Sequence, residues 1–94
     1  MRINKLKQLP ASIGLLSKLQ HLNLSSNALM ELPNSIGKLM MLKELNLNNN
    51  KLIHVPESIG DLNSLEILNV RANYLMELPK SVIKLKEQGL QVYK

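Results

Sequence analysis

The chain has no cysteine, no tryptophan and no phenylalanine, and it holds only two tyrosines. Without cysteine there is no disulfide framework and no thiolate metal site, a composition that fits a reducing compartment. Without large aromatics the core must be aliphatic, drawn from Leu, Ile, Val and Met within a hydrophobic content of 45%. No run approaches the roughly 20 apolar residues that span a bilayer. The charged start, Met1 to Lys5, could open a signal peptide, but Lys7, Gln8, Pro10 and Lys18 interrupt the apolar stretch that should follow.

Signs of catalysis are also missing. His21 and His54 lack the spacing of metal ligands, and without cysteine a zinc site is not expected. No glycine-rich phosphate loop is present. Ser25 and Ser26 lie near His21, yet no acid is placed in sequence to complete a triad. Asn23-Leu24-Ser25 matches a glycosylation sequon, which is read as coincidental. These features imply no enzyme, no cofactor and no metal.

The formal net charge of +5 is uneven. Residues 1–18 carry four bases and no acid, residues 19–79 four bases and six acids, and residues 80–94 four bases and one acid. A basic excess at two ends differs from the continuous basic stripe of a nucleic-acid binder and disfavours that class.

What is present is a repeat. Asn4, Asn27, Asn50 and Asn73 stand 23 residues apart. Leu6, Leu29, Leu52 and Leu75 follow in the same register, then Leu9, Leu32, Val55 and Leu78, each succeeded by proline. Ser12, Ser35, Ser58 and Ser81 recur, followed by Ile13, Ile36, Ile59 and Val82. Gly14, Gly37 and Gly60 come next, and Ile83 breaks that series. Leu16, Leu39, Leu62 and Leu85 close the half-unit. The other half runs through Leu19, Leu42 and Leu65, then Leu22, Leu45 and Leu68, then Leu24, Leu47 and Val70. The unit is L-x-x-L-x-L/V-x-x-N-x-L-x-x-L/V-P-x-S-I-G-x-L-x-x. Its boundaries give a single domain over 1–94, with a partial repeat at 1–18, repeats at 19–41, 42–64 and 65–86, and the start of another at 87–94.

The alternation in L-x-L is that of a strand with one buried face. Short strands stacked unit on unit form a parallel sheet, and parallel neighbours require a crossover. The L-P-x-S-I-G-x-L segment is that return, too short for a long helix and suited to 3-10 turns or extended chain. A buried asparagine amide both donates and accepts, so Asn4, Asn27, Asn50 and Asn73 are expected to form a ladder that satisfies backbone groups in the turns.

These residues resemble the leucine-rich repeat family, whose signature is L-x-x-L-x-L-x-x-N/C-x-L. The return half is similar to the Ras-group intracellular repeats of Scribble-like and Ras-suppressor-like proteins. The resemblance covers residues 1–86 and implies an α/β-type repeat solenoid: a horseshoe segment with a parallel sheet on the concave face and 3-10 or irregular returns on the convex face. It implies cytoplasmic protein binding, with a Ras-like GTPase as the partner class.

Residues that alternate with the buried leucines face the concave side and are the candidate partner-binding set. One column is expected to hold Asn23, Asn46, Asn69 and Gln91, and the next Ser25, Asn48, Arg71 and Tyr93. A third holds His21, Glu44 and Ile67, and a fourth Ser26, Asn49 and Ala72. This face is rich in amides and lightly charged. Met30, Ile53 and Met76 share a column at the bend and are expected to be partly buried packing. Met40 and Met41 have no such explanation.

The ends show no cap, so the chain reads as a slice of a longer array or a subunit whose ends a partner covers. Leu6, Leu9, Ile13 and Leu16 are expected bare at one end, and Leu85, Leu90 and Val92 at the other, which favours self-association. Gln88 takes the slot of Leu65, and a fourth strand is expected to resume one residue early, at Leu90-Gln91-Val92. Three functions compete: a protein-binding module acting through the concave face, an anionic nucleic-acid or membrane-surface binder acting through the basic ends, and a purely structural segment of a scaffold.

Overall fold

Four three-residue strands, β1 (His21–Asn23), β2 (Glu44–Asn46), β3 (Ile67–Asn69) and β4 (Gln91–Tyr93), form one parallel sheet in chain order, in a computed structural model that describes residues 6–94. Each strand lies directly beside the next unit's strand, because the 23-residue period returns the chain to the same point one spacing along. Leu22, Leu45 and Leu68 pair in register and point inward. Their neighbours on either side of the pleat point outward, as a two-residue period requires.

The returns begin at proline. Pro10, Pro33 and Pro56 sit in extended conformation at φ −70°, which proline fixes, and 3-10 turns follow at Ala11–Leu15, Asn34–Lys38 and Glu57–Asp61. Stacking of these turns explains the glycines. A Cβ on Gly37 would stand 2.5 Å from the Ser58 carbonyl oxygen, and one on Gly60 would stand 2.4 Å from the Ser81 Cβ. Only glycine lets one return lie that close to the next.

Pro79 opens a different return. Residues Lys80–Glu87 form an α-helix, α1, where the earlier units make 3-10 turns. Ile83 replaces the glycine here, and Lys84, Leu85 and Lys86 are good helix formers. The helix ends before Gly89, whose φ of +119° suits glycine. The longer return moves the last strand. Val92, not Leu90, pairs with Leu68, so β4 arrives one residue late rather than one early. Leu90 donates its N–H to the Leu85 carbonyl, as Leu65 does to Leu62, and fills the inward slot that Gln88 leaves empty.

Leucine, isoleucine and valine from both legs make one continuous aliphatic core from Leu9 to Leu90. Contrary to the expectation of bare ends, Leu9, Ile13 and Leu90 are buried, and Leu6, Leu85 and Val92 pack against the core half-covered. Of that set Leu16 alone is exposed.

Candidate functional site

The concave face is built from the outward positions of the strands. The sheet register aligns His21, Glu44, Ile67 and Gln91 in one row, and Asn23, Asn46, Asn69 and Tyr93 in the next. The late start of β4 therefore places Gln91 beside Ile67 and Tyr93 beside Asn69, each one row away from the position its sequence spacing suggested. Tyr93 still meets Arg71, whose guanidinium carbon lies 5.2 Å from the ring centroid. That separation holds the cation over the aromatic face. His21 Nδ1 lies 3.4 Å from Glu44 Oε1 on the adjacent strand, with both side chains more than half exposed. The 23-residue spacing places these two side by side in one column, and the folded sheet brings their side chains into contact.

Ser25 is a correction. It was expected on the exposed second column with Asn48 and Arg71, but it is buried at 6% exposure. Its hydroxyl donates to Asn23 Oδ1 at 2.7 Å, and its small side chain folds into the turn. Asn48 is half-buried and Arg71 exposed at the equivalent positions, where longer side chains project out.

The asparagines of the concave row share one geometry. Asn23 Oδ1 accepts the N–H of Ser25, Asn46 Oδ1 that of Asn48, and Asn69 Oδ1 that of Arg71, each at 3.0 Å. Asparagine bonding the backbone two residues on is the Asx turn. It ends each strand and leads into Ser26, Asn49 and Ala72, whose φ values of 57–60° reverse the chain. The recurrence of Asn-x before each turn is the signal that could have revealed this motif.

The second asparagine series lies inside. Asn50 accepts the N–H of Leu29 in the preceding unit at 3.1 Å, and its amide donates to Leu24 at 2.9 Å and Leu47 at 3.0 Å. Asn73 repeats the pattern with Leu52, Leu47 and Val70. Asn27 accepts from Leu6 and donates to Leu24. Asn50 is buried, while Asn27 and Asn73 are half-buried. Asn4 lies outside the described residues.

At the bend, Met30, Ile53 and Met76 are exposed at 57%, 52% and 91%, which overturns the reading of that column as packing. Leu29, Leu52 and Leu75 beside them already fill the core slot, leaving the next side chain outside. Among the described residues no group of three or more His, Cys, Asp or Glu could hold a metal ion, and no helix is long and apolar enough to cross a membrane.

Comparisons with known proteins agree with this architecture. A family model described as "Leucine-rich repeat region" matches residues 34–89, and one described as "Leucine Rich Repeat" matches residues 18–39. A solved leucine-rich repeat protein from Leptospira interrogans superposes with a TM-score of 0.85 over 97% of this chain, at 33% identity. The chain spans 23% of the length of that protein. No curated protein matches significantly.

Proposed function

Because the chain belongs to the leucine-rich repeat family, whose domains generally mediate protein–protein interaction, we propose that it is a non-catalytic module that binds a protein partner on its concave sheet face. The observation that carries this reading is the register of the strands. It lines up the side chains of successive units as parallel rows on one surface backed by the aliphatic core. Solenoids bind through such extended concave surfaces. The binding set is His21, Asn23, Glu44, Asn46, Asn48, Ile67, Asn69, Arg71 and Tyr93, with Gln91 kept in the row of Ile67 and Ser25 removed by its burial.

The L-P-x-S-I-G-x-L returns, similar to Ras-group repeats, support a place in cytoplasmic small-GTPase signalling. Purified Ras-like GTPase, tested in its GTP-bound and GDP-bound forms, checks that extension.

Affinity capture from cells that express the chain tests the assignment of the face. The concave variant Asn46→Glu/Asn48→Glu/Arg71→Glu should lose the partners that wild type captures. The convex variant Lys38→Glu/Asp61→Lys, altered at exposed positions on the returns, should retain them. Partners lost only by the convex variant refute the concave site.

A further inference from the structure

Resting on the concave-face reading above, the geometry points to a narrower conclusion: we propose that this face is a hydrogen-bond donor surface that takes an acidic polypeptide segment. The asparagine row is polarised. In Asn23, Asn46 and Asn69 the oxygen is occupied by the backbone N–H two residues on, which fixes which end of each amide is oxygen and which is nitrogen. The Nδ2 groups are then what the row offers a partner, and none of the three donates to another protein group among the described residues. Three pairs of donors, repeated at the strand spacing of roughly 4.8 Å, face the same way. An amide row with free oxygens would suit any polar partner. This one suits acceptors.

Charge at the Asn69 end of the face favours the same partner. Arg71 projects at the end of the turn after Asn69 and is steadied by the Tyr93 ring 5.2 Å away. The carboxylate on the strand rows, Glu44, stands two residues before Asn46 on β2, in the neighbouring row, and is faced by His21 at 3.4 Å. From Ile67 to Arg71 and from Gln91 to Tyr93 there is no acid. Carboxylates over Asn46, Asn69 and Arg71 would therefore meet donors and a cation. Ammonium groups over Asn69 and Arg71 would meet Nδ2 donors and a cation, a poorer match than carboxylates find there. Nucleic-acid phosphates also accept, but they bind through several cations along a groove. The strand and turn residues 21–26, 44–49, 67–72 and 91–93 supply one arginine against one glutamate.

Selection from a random-peptide phage library on the immobilised chain tests the proposal. The key variant is Asn46→Asp/Asn69→Asp. Aspartate keeps an oxygen to accept the same N–H and so preserves the Asx turns, while both Nδ2 donors are lost and two charges added. Arg71→Gln is the second variant. It keeps the backbone N–H that the turn uses and secures the test if the aspartate variant does not fold. Wild type should enrich peptides rich in Asp and Glu. Their binding should fall at least about tenfold in either variant, since like charges or unmatched acceptors replace complementary ones.

Enrichment of basic or uncharged peptides overturns the donor-surface proposal. If those peptides are lost on Ile67→Arg, the concave reading survives that failure. Peptides indifferent to Ile67→Arg but lost on Lys38→Glu/Asp61→Lys overturn both, as does a selection that enriches nothing. A single-stranded oligonucleotide that displaces the acidic peptides and binds more tightly overturns the polypeptide assignment.

Discussion

Asparagine does two separate jobs in this molecule, and position within the unit decides which. Asn27, Asn50 and Asn73 turn inward and join neighbouring units, while Asn23, Asn46 and Asn69 cap the strands and leave their nitrogens outside. Asn50 shows what the inner job costs to lose. Its amide serves Leu24, Leu29 and Leu47 in a site 5% exposed, where water cannot replace it. Asn50→Ala should lower stability by about 1–3 kcal/mol, because the abandoned backbone groups keep the penalty of their desolvation. Urea denaturation of the variant beside wild type measures this, and an unchanged midpoint would refute the ladder's energetic role. The half-buried Asn73 should show a smaller loss on the same substitution. The two histidines remain unlinked, since His21 faces Glu44 on the sheet and His54 lies exposed on the return.

Elements here are short, and their turns set their spacing. β1, β2 and β3 each end in an Asx turn and a residue with φ near 60°, and each return begins at proline. Two substitutions separate steric from conformational constraint. Gly37→Ala brings a Cβ within 2.5 Å of the Ser58 carbonyl oxygen, which is backbone and cannot swing aside. The stacked returns must part, at a cost of roughly 1–3 kcal/mol. Ala72→Gly acts in the opposite direction. A left-handed alanine costs roughly 1–2 kcal/mol, and glycine's greater freedom when unfolded recovers only part of that, so the variant should gain about 0.5–1 kcal/mol. Thermal melts of the two variants should shift in opposite directions. A loss of stability in Ala72→Gly would show that the Ala72 methyl packs in a way its exposure does not suggest.

Across the whole molecule, the core is a column in which each unit rests on its neighbours, so stability is close to a sum of unit and interface terms. Burial is complete in the middle of that column, where Leu24, Leu29, Leu52, Ile36 and Ile59 are fully buried, and partial toward its ends at Leu6 and Leu75. The exposed Met30, Ile53 and Met76 stand outside this sum. Replacing each with serine should change stability by no more than about 0.5 kcal/mol, as for surface positions generally. Leu52→Ala, one residue from Ile53, should cost about 2–5 kcal/mol. Guanidinium titrations of both sets distinguish a surface column from a packed one. A loss above about 2 kcal/mol from any one of the three serine variants would restore that residue to the core.

The sequence by itself determined the period, the parallel sheet, the inward leucines and the inner asparagine series, because each follows from local chemistry repeated at a constant interval. A strand must alternate, a proline must open a return, and a close contact must use glycine. What only the tertiary structure decided lies where the interval fails or where atoms choose among partners. The final return became α1 once Ile83 replaced the glycine, and the added chain length moved β4 so that Tyr93 stands beside Asn69. Spacing by 23 cannot foresee that shift, since the length of a return depends on its conformation. Ser25 left the surface because its hydroxyl found the Asn23 oxygen, and Met30, Ile53 and Met76 stayed on it because the neighbouring leucines had filled the space. The orientation of the concave amides was settled the same way, by backbone N–H groups that only the folded turn brings within reach.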